Sequence, residues 1–468
     1  MKKLNHLLNL LSPSEFELFQ VWLSSPWFNS DAKLGILAQH SYAQEKELSN
    51  QELFQKLYPG KTYNSQVLRN KESFLIRKAE RFVAWNQLEK EPGHQSQLLG
   101  KMLVDRSDIK SFRKNLNQKA QQTWHRISSL QNLDFDQKIA ELDYRLEQKT
   151  KRQDAEKGLN KLILEMDAYW ITNRLKFSCE MLNRGLTLGQ QSNMGMEQVL
   201  NFMPPNDNPK FLLAHLYRLV YFTLTYPEES KHYFQLKELV KELLHQIEAQ
   251  ETTEIFTFLQ NYCIRRINAG QPDFLQELFS NYKLLLQSKL ILIDGVLGEF
   301  DFKNILTVSI RLNEINWAHQ FITDYSTLLP KQHQANAIQY NLARLFYAEK
   351  NLKQALKSLT TVEYTDVYYH LDSRILLTKI YYDLEDIESL FSSIQSFRQY
   401  LSRTRQISST QQKLYLNFLS VIKRLGMLKD GSKVDLLKLE AFLKENPQTA
   451  DISWLKERIA NFKKNALL

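Results

Sequence analysis

The stretch 340–362, YNLARLFYAEKNLKQALKSLTTV, returns thirty-five residues later as 375–397, ILLTKIYYDLEDIESLFSSIQSF. The two segments align position by position. Ala343 stands over Thr378, Asn351 over Asp386, Leu352 over Ile387, Ala355 over Leu390, Leu359 over Ile394 and Val362 over Phe397. Apolar residues recur at helical spacing, pause at a polar turn, and recur again. A period near 34 residues marks one helix–turn–helix unit copied along the chain. Such a unit cannot bury its apolar face alone, so neighbours must share a core. Projecting back another thirty-five residues lands on Thr307, with Asn316-Trp317 at the turn of a more degenerate unit.

Outward from this repeat, composition points the same way. In 468 residues there are only 13 glycines and 11 prolines, against roughly 33 and 23 at average usage. So few turn residues leave little room for sheets, and the expected class is all-α. Hydrophobic content of 43% with 12% aromatics is that of a folded chain. Cys179 and Cys263, the two cysteines, have no ligand or framework spacing and read as buried apolar residues of a reducing compartment. No run of about 18 apolar residues exists. The start, Met1 to Leu8, is interrupted by Asn5 and His6 and is not expected to be a signal peptide. A cytoplasmic location follows as an expectation.

Punctuation divides the chain. Ser12–Glu15 and Ser49–Glu52 are capping boxes, the first with Pro13 at the opening helical position. The first helix presents Phe16, Phe19, Trp22 and Leu23 on one face and must stop before Pro26. Residues 65–89 read as a longer amphipathic helix, broken at Glu91-Pro92-Gly93. Trp22, Trp27, Phe28 and the aromatic Phe82–Trp85 segment are either core or an exposed docking patch, and core is the expectation, because aromatics dominate burial in small helical domains. Long helices fill 93–202, and the polar stretch 148–157 is either a bridge between two helices or part of one. Met203-Pro204-Pro205-Asn206-Asp207-Asn208-Pro209 is the clearest linker. The expected organisation is therefore an N-terminal helical domain (1–92), a long-helix region (93–202), and an α-solenoid of helical hairpins (209–468) ending in two capping helices near 432–445 and 449–465.

The repeat resembles the tetratricopeptide family over 335–400 and less closely over 300–334. It departs from the family's small residues at Thr378 and Leu390, which are expected to widen helix packing. The N-terminal motifs Leu11-Ser12-Pro13-Ser14-Glu15-Phe16, Ser25-Pro26-Trp27-Phe28-Asn29 and Leu53 to Lys61 are similar to the start of large helical bacterial proteins with tetratricopeptide-like C-terminal regions. That resemblance implies the architecture and a bacterial cytoplasmic setting, and no activity. By analogy with tetratricopeptide arrays, the first helix of each hairpin lines the inner face. Tyr340, Arg344 and Tyr347 would project there from one unit, and Ile375, Lys379 and Tyr382 from the next. Arg344 and Lys379 share a repeat position, as do Tyr347 and Tyr382, and arginine and tyrosine are favoured interface anchors.

Catalytic motifs are missing: GxxxxGK[ST], GxGxxG, HExxH, CxxC and GxSxG do not occur. The ten histidines are scattered, without a second histidine or a cysteine at helical spacing. No cofactor, no metal and no enzyme activity are expected. Net charge is +9. From Ser389 to Lys429 there is no acidic residue, while Arg398, Arg403, Arg405, Lys413, Lys423, Arg424 and Lys429 are basic. A shorter basic stretch runs from Ile109 to Leu133. Such stretches are either solvated helix faces or anion-attracting surfaces. The expected function is a non-enzymatic scaffold or adaptor holding a protein or peptide, acidic in character, in its inner groove. The alternative is a nucleic-acid-associated protein using 389–429, for which no recognition motif stands.

Overall fold

A computed structural model describes the chain except residues 1, 43–47, 116–128, 151–154, 189–194, 206–207, 363–366, 405, 429–432 and 466–468. It is all-α, apart from one two-stranded hairpin among the described residues. Two compact units form: Met1–Thr225 with Leu239–Glu248, and Tyr226–Glu238 with Ala249–Leu468.

The first unit opens with helices Lys2–Leu8, Pro13–Ser24, Lys33–Ser41, Asn50–Leu57 and Ser65–Lys90. Both capping boxes are formed. Ser12 Oγ accepts from the Glu15 amide at 3.2 Å, and Glu15 Oε2 accepts from the Ser12 amide at 3.1 Å. Ser49 and Glu52 repeat the exchange. These caps satisfy amide donors that would otherwise be orphaned at the helix start. The core gathers Phe19, Trp22, Leu34, Leu53, Leu75 and Phe82, with Phe19 and Phe82 ring centroids 5.1 Å apart. Two of the expected core aromatics are corrected. Trp27 is 88% exposed and Trp85 is also exposed. The chain leaves the helix at Ser25 and turns at once, the Phe28 and Asn29 amides both donating to the Ser25 carbonyl. Phe28 takes the stacking place on Trp22 at 4.5 Å, which sends Trp27 to water.

Helices Pro92–Asp105, Leu130–Thr150, Ala155–Leu188 and Leu212–Thr225 follow, each packed on the next. Of the polar stretch 148–157, residues 151–154 lie outside the described residues. Lys210 ties this part together, with Nζ 2.7 Å from buried Glu165 and 3.3 Å from Asp136. Burial opposes its charge, but the two carboxylates hold its pKa above the ordinary lysine value. The Pro-rich linker 203–209 lies inside this unit, and His215 Nε2 lies 3.2 Å from the Pro205 carbonyl.

The second unit is built from helix pairs. After Ala249–Asn268 and Phe274–Gln287 come Glu299–Arg311 and Ile315–Tyr325, then Gln334–Ala348 and Leu352–Thr360, then Val367–Asp383 and Ile387–Arg403, and finally Ser409–Met427, Lys433–Glu445 and Ile452–Asn465. The turns repeat as well as the helices. Gly270, Asn313, Lys350 and Glu385 all adopt left-handed backbone, with φ of 89°, 60°, 63° and 58°. Each is followed by the same long bond back into the preceding helix: Gln271 to Arg266, Glu314 to Ser309, Asn351 to Phe346 and Asp386 to Tyr381, at 2.9 to 3.1 Å. This is the Schellman closure, which satisfies the last carbonyls while reversing the chain. Asn351 and Asp386, aligned in the sequence, each also cap the following helix through their side chains. The helix Gln334–Ala348 packs on both Glu299–Arg311 and Val367–Asp383, so the opening helices of consecutive pairs adjoin.

The departures from the repeat are absorbed locally. Thr378 is fully buried, and its hydroxyl donates to the Arg374 carbonyl at 2.7 Å and meets Ser393 Oγ at 3.2 Å. Leu390 takes space left by Gly426, where an added Cβ would fall 2.8 Å from Leu390 Cδ2. The hairpin pairs Leu292–Ile293 with Val296–Leu297 across Asp294-Gly295, both at positive φ, the conformation that Asp-Gly favours in a tight hairpin.

Candidate partner-binding surface

The residues expected to line an inner groove divide into two sets. Tyr340 is buried, its ring 5.1 Å from that of Tyr369 in an edge-on contact. Arg344 lies over Tyr340 with its guanidinium 5.8 Å from the ring centroid and donates to Thr307 Oγ1 at 2.5 Å. These two pack within the helix array. Tyr369 is buried.

Tyr347, Lys379 and Tyr382 come together around a fourth group, Trp454 of the last helix. Trp454 Nε1 donates to Tyr347 Oη at 2.8 Å, and its ring meets Tyr382 edge-on at 5.5 Å. Lys379 Nζ sits 5.0 Å from the Tyr347 ring and 5.2 Å from the Trp454 ring, and pairs with Asp451 at 2.7 Å. On the other side Arg458 donates to Asp383 Oδ2 at 2.9 Å and lies 5.0 Å over Trp454. Tyr347 Oη donates to the same Asp383 oxygen at 2.5 Å. Burial first, and then the Asp383 carboxylate, push the Tyr347 phenol far above its usual range. Burial works against Arg458, but Tyr347 and Asp383 raise its pKa further. The result is an aromatic anchor clamped between two charge-assisted contacts. The helix Ile452–Asn465 supplies the anchor and one partner of each ion pair, with Asp451 just ahead of it.

Sequence reasoning missed Asp383, Asp451, Trp454 and Arg458. The available signal was the spacing of Trp454 and Arg458, four apart on one helical face, in a segment read only as a charged cap. Arg398 and Arg403 lie exposed on Ile387–Arg403, and Lys413 and Lys423 are exposed on the next helix. Arg424 lies over Phe442 at 5.5 Å. Arg405 and Lys429 fall outside the described residues, as do Lys119 and Arg126 of the shorter basic stretch.

The buried reactive groups are held quiet. Burial raises the Cys263 thiol to about 12, and raises Cys179 as well. His370 accepts from Arg374 Nε at 2.6 Å. Burial and then that guanidinium lower its pKa to about 4, so the ring is neutral near pH 7. Among the described residues no group of three His, Cys, Asp or Glu side chains could hold a metal ion, and no helix is long and apolar enough to cross a membrane. No family model, no curated protein and no solved structure matches the chain.

Proposed function

We propose that the chain is a non-enzymatic, tetratricopeptide-like scaffold of the bacterial cytoplasm, which binds a helical protein or peptide segment on the inner face of its hairpin solenoid. The single observation that carries this reading is the seating of the last helix. Tyr347, Tyr382, Lys379 and Asp383 receive an α-helix through a tryptophan flanked by an acid and a base. A face that accepts one such helix has the chemistry to accept another, in the manner of helix-in-groove recognition. The partner segment would carry an acidic residue three positions before an aromatic and a basic residue four after it. It would compete with the chain's own helix rather than fill an empty groove.

The test uses the full chain with Trp454→Ala and Arg458→Ala, which loosen the resident helix. A fluorescent peptide spanning residues 447–465 should bind this variant at micromolar affinity, and wild type at least tenfold more weakly, because the resident helix competes. Adding Lys379→Glu and Tyr347→Phe should abolish binding. No binding to the loosened chain would refute the groove assignment.

A second reading rests on the exposure of Arg398, Arg403, Lys413 and Lys423 in an acid-free stretch. Nucleic acid bound there would show log affinity falling with log salt, at a slope of about 0.7–0.9 per neutralised phosphate. A flat salt response removes it.

A further inference from the structure

Helix Ala155–Leu188 carries an apolar stripe that none of its described neighbours covers. Its other face, with Ala168, Ile171, Leu175 and Cys179 buried, meets Leu130–Thr150 and Leu212–Thr225. Leu159, Ile163, Met166, Trp170, Phe177 and Met181 are 39–58% exposed and fall within about 60° of one line along the helix at 100° per residue. Scattered single apolar residues need no explanation, but six on one face, interrupted only by Arg174, do.

The stripe has an internal symmetry centred on Trp170. Leu159 and Met181 stand 11 residues from it and Ile163 and Phe177 stand 7, apolar against apolar; Glu156 and Arg184 stand 14, opposite in charge; at 4 the symmetry is broken, with Met166 on one side and Arg174 on the other. On the same face Asp167 lies three before the centre. A segment that reads alike in both directions is self-complementary under a two-fold axis. We propose that two copies of this chain pair through this stripe, helix against antiparallel helix, with Trp170 meeting its own copy at the axis.

Charge decides the direction. Antiparallel pairing about Trp170 brings Asp167 diagonally beside Arg174 of the other copy, one residue out of register, and sets Glu156 level with Arg184; every contact occurs twice, as an isologous interface requires. Parallel pairing sets like against like at all four positions. The Arg184–Glu180 contact at 2.5 Å within the helix is an exposed pair of small worth and leaves Arg184 able to exchange partners. Six half-exposed large side chains offer on the order of 100 Å² each. That makes about 1,200 Å² for the pair, at the lower edge of a stable interface. Tryptophan and methionine at its centre match the composition of such cores. This inference concerns a different helix from the groove above and does not depend on it.

Sedimentation equilibrium of the full chain over about 1 to 100 µM should give twice the 55.3 kDa chain mass. Asp167→Arg should weaken pairing on the order of a hundredfold, and Asp167→Arg with Arg174→Asp should bring it back to within about tenfold of wild type. Glu156→Arg, with and without Arg184→Glu, repeats the swap at the far end of the stripe in case the central pair disturbs folding. Oxidative crosslinking fixes the direction, since Cys179 and Cys263 are buried. Trp170→Cys should link to itself, and Ile163→Cys should link only when mixed with Phe177→Cys. A single-chain mass at every concentration overturns the proposal. So does self-linking of Ile163→Cys at the rate of Trp170→Cys.

Discussion

Trp454 and Trp170 are the same side chain put to opposite uses. Trp454 is 7% exposed and its indole N–H has a partner. Trp170 is 54% exposed at the middle of an apolar line. The first packs against Tyr347 and Tyr382, two residues that share a position in the internal repeat, and the second sits on a helix for which the repeat says nothing. A constellation of cations and tyrosines on a repeat face is therefore no evidence of an open site, because the same chain can satisfy it. An uncovered face shows instead in apolar residues that helical spacing places together and no neighbour hides.

The two tryptophans should separate sharply under mutation. Trp454→Ala removes a buried ring and the indole N–H that donates to Tyr347 Oη. It should cost about 3–5 kcal/mol, read as a lower urea midpoint and faster hydrogen exchange across 452–465. Trp170→Ala should cost about 1 kcal/mol or less in folding. Similar losses at both positions would erase the contrast.

Much of this was legible in the sequence, for reasons local to each element. The Ser12–Glu15 box and Pro13 define a helix end through groups within four residues, and the helix expected at 65–89 runs Ser65–Lys90. The repeat aligned Lys350 with Glu385, and both turn out left-handed. The hairpin at Leu292–Leu297 was also readable, since Asp-Gly between apolar residues is its ordinary signature. The composition argument against sheets hid it. The clamp on Trp454 was not readable. Arg458 meets Asp383 across 75 residues and Trp454 meets Tyr347 across 107, and no local spacing encodes such distances. Trp27 and Phe28 show the same limit at short range, because either neighbour could have taken the place on Trp22.

Gly426→Ala sharpens the account of the repeat's irregularity. Alanine normally favours a helix over glycine by about 1 kcal/mol. Here its Cβ would collide with fully buried Leu390, so the substitution should destabilise by about 1–3 kcal/mol. The double change Gly426→Ala with Leu390→Ala, which puts at 390 the residue that stands at the aligned position 355, should recover part of the loss. A stabilising Gly426→Ala would show that the helices part to admit Leu390.

His370 tests the same region through pH. Unfolded, it takes up a proton near 6.5, and folded only near 4. The folded chain thus binds fewer protons between those values. The stability this site contributes is complete above pH 6.5 and declines as pH falls towards 4. An NMR titration should place its midpoint well below 6, and His370→Gln should flatten the acid limb of the stability curve. A midpoint near 6.5 would refute the burial argument.

The smallest expected effect lies in the turns. Glu385→Gly and Lys350→Gly each relieve a left-handed backbone that glycine adopts freely, and each should stabilise by about 0.5–1 kcal/mol, seen as a higher melting temperature. The same change at Glu349, whose φ is −74°, should not.

The seating of the last helix is tested most directly by a double-mutant cycle on Asp383→Asn and Arg458→Met. The two side chains are 2.9 Å apart and each is about one-seventh exposed. Their effects on stability should be coupled by at least about 1 kcal/mol. Additivity to within about 0.3 kcal/mol would mean that the last helix does not sit where Trp454 and Arg458 place it.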